Sequence, residues 1–149
     1  MSKKVLIVDS NYYPEISFNL VQGATEYLDH HNIKSVVIKA PGAFEIPFLI
    51  NSKKDFYDGF VALGCVIKGE TPHFDFISKT TFDAIMKLSV DHKKPIGNGI
   101  ITALNIGQAE FRSSSEDLPK GSKFNKPNKG SEAARAVLSI LGILKNESK

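Results

Sequence analysis

The sequence predicts an α/β domain built on a parallel sheet, and three observations carry that prediction. Four short β-branched runs, Val5–Asp9, Ser35–Ala40, Gly59–Ile67 and Gly99–Leu104, alternate with longer amphipathic segments. The runs are apolar nearly throughout, as strands are when helices cover both faces of a parallel sheet. The segments between them hold their apolar residues at helical spacing, which gives strand–helix–strand units with right-handed crossovers.

Each element follows in order. After the first run, Leu20, Val21, Ala24, Tyr27 and Leu28 form one helical stripe. His30 and His31 end that helix, where a cation suits the dipole and a surface role is expected. The second run leads into the turn Pro41-Gly42-Ala43-Phe44-Glu45-Ile46-Pro47. The third is followed by a helix carrying Phe74, Ile77, Ile85 and Leu88, ended by His92. Ser113 to Gly130 is rich in Ser, Pro, Gly and Lys and reads as a long functional or mobile loop. The last helix places Ala133, Ala134, Val137, Leu138, Leu141 and Leu144 on one face.

Composition bounds the rest. With 149 residues, 42% of them hydrophobic, the chain is expected to be a single domain over 1–149. A domain of this size buries roughly 68–70% of its unfolded surface. Cys65 is the one cysteine, which excludes a disulfide scaffold. The longest near-apolar stretch, Gly59 to Ile67, is half of what a membrane span needs. Met1-Ser2-Lys3-Lys4 runs straight into the first strand, so no leader is expected and the location is read as cytoplasmic. The net charge of +3 comes from lysine, with only Arg112 and Arg135 as arginines, which argues against nucleic acid as the main partner. Arg112, Lys120, Lys123, Lys126 and Lys129 outnumber Glu116 and Asp117 in the late loop. A solvated loop is the favoured reading there, with an anion site at one or two of these residues as the sharper one.

In such folds the site lies beyond the carboxyl ends of the strands. The three turns at those ends are Asp9-Ser10-Asn11-Tyr12-Tyr13-Pro14, Pro41 to Pro47, and Lys68-Gly69-Glu70-Thr71-Pro72-His73. In the last, Thr71 is expected as N-cap and Pro72 as the first helical residue, which puts His73 in the first turn. The macrodipole there disfavours a charged imidazole, and the free N–H groups from Glu70 and Thr71 onward form an anion cradle. On local grounds His73 is either an acid–base group or a residue that only packs or caps. Glu45, set among Phe44, Ile46 and Pro47, is expected to face a ligand, because an unpaired buried acid is costly. Cys65 lies inside a buried strand and reads as a small core residue rather than a nucleophile. No His/Cys/Asp spacing has the form of a metal site, and Gly97-Asn98-Gly99 lacks the rest of a phosphate loop.

Pro41-Gly42-Ala43-Phe44-Glu45-Ile46-Pro47, followed by Leu63-Gly64-Cys65-Val66-Ile67-Lys68-Gly69-Glu70-Thr71-Pro72-His73-Phe74-Asp75, closely resembles the 6,7-dimethyl-8-ribityllumazine synthase family. The resemblance runs from Tyr12 to Lys129-Gly130. It implies a flavodoxin-like three-layer sandwich with a four-stranded parallel sheet. It also implies condensation of two small-molecule substrates, 5-amino-6-(D-ribitylamino)uracil and 3,4-dihydroxy-2-butanone 4-phosphate, with neither metal nor organic cofactor. Carried over by position, Tyr12 is the aromatic platform for the pyrimidine. Ala43, Phe44 and Glu45 hold its ribityl side, and Cys65, Val66 and Ile67 line the ring. Glu70 and Thr71 are phosphate-side positions, His73 is the proton-transfer histidine, and Arg112 and Lys129 are the basic phosphate residues.

Two departures from the family pattern stand out. Asn98 occupies a position near the ring where many members carry phenylalanine, and Ser113 to Pro127 is longer than the usual turn. The resemblance further implies homopentamers, alone, in pairs or as shells of sixty subunits. The late insertion and the short N-terminal arm favour a free pentamer or decamer. Because Asn98 starts the fourth strand, far from the ends that carry Tyr12, Glu45 and His73, one subunit is not expected to bring all of them together. Asn98, Arg112 and Lys129 are therefore expected to complete a neighbour's site. A receiver-type signalling domain is disfavoured, since Asp9 stands alone and the third strand ends in Ile67-Lys68-Gly69. A relative that binds flavin or lumazine, or builds a shell, without catalysis is opposed by His73, Glu45 and Arg112, while Asn98 keeps that alternative open.

Overall fold

The computed structural model describes residues 3–116 and 127–147, the last five of these by backbone alone. The late segment 117–126, with Lys120, Lys123 and Lys126, lies outside the described residues. Strands β1 (Lys4–Asp9), β2 (Lys34–Lys39), β3 (Gly59–Ile67) and β4 (Ile96–Ala103) form one parallel sheet in the order β2-β1-β3-β4. Helices α1 (Pro14–His30), α2 (Ile46–Ser52), α3 (His73–His92), α4 (Ile106–Arg112) and α5 (Lys129–Glu147) connect and cover them. The expected α/β sandwich is present.

Alternation along the strands divides the core into two layers. Val5, Ile7, Val61, Leu63 and Ile101 meet Leu20, Ala24 and Leu28 of α1 and Ala133, Ala134 and Val137 of α5. Leu6, Val8, Phe60, Ala62 and Ile100 face the other way, onto Ile46, Ile50 and Ile85 of α2 and α3. Burying a side chain of this kind contributes about 1.5–3 kcal/mol, so the two layers hold the sheet from both sides.

The fourth strand departs from expectation. It starts at Ile96, three residues before the β-branched run, and pairs Ile96, Gly97 and Asn98 with Phe60, Val61 and Ala62. Glycine weakens a strand locally, but here it is required by packing. A Cβ on Gly97 would run into the Ala133 carbonyl of α5. The Gly97 position therefore reflects helix-on-sheet contact and not strand propensity.

At the amino end of the sheet, Lys94 ties the α2–β3 connection in place. Its Nζ donates to the Tyr57 carbonyl at 2.8 Å and also to the Lys54 carbonyl. Among the described residues no helix is long and apolar enough to cross a membrane.

Candidate active site

Three turns at the carboxyl ends of β1, β2 and β3 build the candidate site. The first leaves β1 through Asn11, whose left-handed φ of 49° is one that asparagine tolerates better than most residues. This turn sends the Tyr12 side chain outward, 69% exposed. Tyr13 caps α1, and Pro14 follows at the first helical position, where a missing N–H costs nothing. The Tyr12 and Tyr13 rings meet edge to face, with centroids 5.0 Å apart and planes at 72°. Burial, then the neighbouring Cys65 and Tyr12, push the Tyr13 phenol above its ordinary pKa.

The second turn runs from Pro41 through extended Gly42 into a single 3-10 turn, Ala43–Glu45. The Glu45 N–H closes it on the Gly42 carbonyl at 3.3 Å. Ala43 is buried, Phe44 is exposed and Glu45 is half-buried. An acid held partly out of solvent beside a cavity keeps its acceptor oxygens available for hydroxyl donors.

The third turn begins with Cys65, buried, then half-buried Val66 and Ile67. Burial pushes the Cys65 thiol up to about 11, so it is a protonated wall residue at neutral pH. The α3 start lies one residue later than expected. Pro72, with ψ of 6°, takes the cap position, and His73 is the first helical residue. Proline's fixed φ suits a cap as well as a first turn, so the sequence pattern is satisfied by either register. The Thr71 hydroxyl accepts the His73 N–H at 3.5 Å, a long bond that leaves the helix start lightly capped. The His73 side chain is exposed.

These turns enclose a cavity of about 520 Å³, within the ordinary range of small-molecule sites. Of the expected site residues, Tyr12, Ala43, Phe44, Glu45, Cys65, Val66, Ile67 and His73 line it together. Tyr13, Pro41 and Gly42, from turns expected to form the site but with no role assigned to them, also line it, as does Ile77. Ile77 lies one helical turn beyond His73, a spacing from which it could have been found. Pro41 and Gly42 sit inside the quoted motif, and Tyr13 carries the aromatic signal next to Tyr12.

The other expected residues lie apart from this lining. Glu70 and Thr71 stand exposed on the turn before α3. Asn98 is the third residue of β4, and its side-chain oxygen accepts the Ile100 N–H at 3.0 Å. Arg112 ends α4 and is exposed. Lys129 starts α5 and pairs with Glu132 at 3.6 Å. Among the described residues, no group of three or more His, Cys, Asp or Glu side chains is arranged to hold a metal ion.

The cavity at the carboxyl ends of this parallel sheet sits where open α/β domains place their ligands. The family model for 6,7-dimethyl-8-ribityllumazine synthase matches residues 2–145. The chain belongs to the lumazine synthase family. It is 41% identical over 145 residues to the 6,7-dimethyl-8-ribityllumazine synthase of Bartonella bacilliformis, covering 95% of this chain and 90% of that one. Identity to the enzyme of the same name from Nitrobacter hamburgensis is 38% over 153 aligned positions, covering 98% of this chain and 88% of the other. For 6,7-dimethyl-8-ribityllumazine synthase 1 of Rhodopseudomonas palustris the identity is 39%, with the same coverage. Within this lumazine synthase fold, the residues expected on the pyrimidine side, Asn98 excepted, converge on one cavity, while Asn98 stays on β4 and the basic residues expected on the phosphate side on α4 and α5.

Proposed function

We propose that the cavity at the strand ends is the pyrimidine-binding part of a lumazine synthase site, with His73 as its proton carrier. The reaction is condensation of 5-amino-6-(D-ribitylamino)uracil with 3,4-dihydroxy-2-butanone 4-phosphate, giving 6,7-dimethyl-8-ribityllumazine, phosphate and water. It is the penultimate step of riboflavin biosynthesis. Family membership supports the reaction, and one observation supports its location. Tyr12, Glu45, Val66 and His73, from three separate turns of the chain, line a single cavity.

Each residue has a physical task in this reading. Tyr12 offers a face for a flat polar heterocycle, and Glu45 accepts hydrogen bonds from ribityl hydroxyls. Val66 and Ile67 present backbone groups to the ring. Imine formation, phosphate elimination and ring closure each move a proton, and an imidazole can both accept and donate one. Glu70 and Thr71 flank the phosphate position through backbone N–H groups at the helix start. Arg112 supplies a bidentate fork for the leaving phosphate, and Lys129 a second cation.

Arg112 and Lys129 at the phosphate, and Asn98 near the ring, come from a neighbouring subunit in a homopentamer. Support comes from the exposed apolar side chains of Phe76, Met86 and Val90 on α3 and of Leu104, Ile106 and Phe111 around α4. Large apolar side chains left in solvent are ones that a subunit contact would bury. A free pentamer or decamer, a single domain over 1–149 and a cytoplasmic location complete the reading.

Incubating the purified protein with both substrates and following the fluorescent lumazine tests it. The expected result is product formation that falls about 10²–10⁴-fold in His73→Ala. Tight substrate binding without product would remove the enzyme reading.

A further inference from the structure

Asp9 is fully buried at the end of the central strand β1, a position where a charged carboxylate must be compensated. Its Oδ1 accepts the Ser17 hydroxyl at 2.8 Å and the Asn11 N–H at 3.3 Å. Its Oδ2 accepts Lys39 Nζ at 2.7 Å, and the lysine head remains partly in solvent. The Asp9 main-chain carbonyl accepts the Ala40 N–H at 2.8 Å, immediately before the Pro41-Gly42 turn. One residue thus grips two of the three turns that build the cavity. The bond to Asn11 is made at the residue with left-handed φ, one step before Tyr12. The bond to Ser17 fixes the first turn of α1, whose cap is Tyr13.

We infer that Asp9, held by Ser17 and Lys39, is a positioning residue that fixes the Tyr12–Tyr13 wall for the pyrimidine substrate. A left-handed turn at a non-glycine residue costs energy and persists only where its surroundings hold it. The acceptor Oδ1 supplies that hold, and the buried carboxylate is otherwise hard to account for in an apolar strand end. This inference rests on the reading of Tyr12 as the pyrimidine platform.

Steady-state kinetics on folded variants test it, with melting temperature and circular dichroism as the check of fold. Asp9→Ala removes the acceptor and should raise KM for the ribitylaminouracil about tenfold, with KM for the butanone phosphate within about twofold and kcat little changed. Asp9→Asn keeps an oxygen for Ser17 and Asn11 and should recover most of the loss. Where Asp9→Ala does not fold, Ser17→Ala keeps helical propensity and should show the same one-sided rise, about threefold. A residue needed only for stability would move both KM values together or neither. Unchanged KM values in folded Asp9→Ala or, where that variant does not fold, in Ser17→Ala, or Asp9→Asn as impaired as Asp9→Ala, would overturn the inference. Tyr12→Ala separates the two levels. If it leaves the pyrimidine KM unaltered, the platform reading itself is wrong; if it raises that KM while the Asp9 variants do not, only the positioning role is lost.

Discussion

Asn98 and Ile100 are joined along one strand: the Asn98 side-chain oxygen accepts the Ile100 N–H at 3.0 Å. The bond lies on the open edge of the sheet. Phe60 N–H reaches the Pro95 carbonyl and Lys68 N–H reaches the Ala103 carbonyl at the two ends of the β3–β4 ladder. The odd-numbered residues of β4 therefore turn their backbone groups toward β3, and Ile100 turns its own outward. Asn98 thus satisfies an N–H that an edge strand would otherwise display. Asn98→Ala releases that group to water and should cost about 0.5–1.5 kcal/mol. Thermal melting would register this as a drop of about 2–4 °C per kcal/mol for a domain of this size.

The separation of Arg112 from the cavity gives a second expectation. The Arg112→Ala and His73→Ala variants should each be inactive or nearly so. Mixing the two by denaturation and renaturation should regain a measurable fraction of activity, because some interfaces join an intact His73 to an intact Arg112. Activity of the mixture no higher than the mean of its parents would rule out shared sites.

Cys65 should behave as a wall and not as a nucleophile. With its pKa raised by burial to about 11, only about one thiol in a thousand is ionised at pH 8, and the thiolate is the reactive form. Labelling of the native protein should be slow at pH 8 and become fast on unfolding. The sign for stability follows from the same direction. The folded state holds its proton above the unfolded thiol's ordinary pKa of about 8.5, so the contribution is complete below that pH and is lost as pH rises toward 11. A thiol titrating native protein near pH 8.5 would contradict this. Cys65→Ala should keep kcat within about threefold, since removal of a small wall group changes packing more than chemistry.

Gly97 carries a packing prediction. Gly97→Ala puts a methyl group against the Ala133 carbonyl, and overpacking of this kind costs about 1–3 kcal/mol. A denaturant midpoint lowered with unchanged slope is the expected signature. An unaltered midpoint would mean that α5 shifts freely over β4.

The fold was legible because strand and helix periods differ, and β1, β2 and β3 were found within one residue. The start of β4 was hidden because Gly97 and Asn98 are poor strand formers whose presence reflects contact with α5 and an edge N–H. The cavity was legible through its motifs, which lie in continuous stretches at strand ends. Ile77 escaped because it belongs to the site only through the helical turn that separates it from His73. Asp9 escaped for a related reason. A lone acid after a strand carries no signal until Ser17, Asn11 and Lys39, from three different segments, are seen around it.

The edge-to-face pair of Tyr12 and Tyr13 has an optical consequence. The chain has no tryptophan and four tyrosines, and two of the four line the cavity. Tyr27 stacks on His31 and Tyr57 meets Phe60, both away from the cavity lining. Half of the intrinsic ultraviolet emitters therefore sit where a heterocycle would enter, and the unlabelled protein reports the occupancy of its own site.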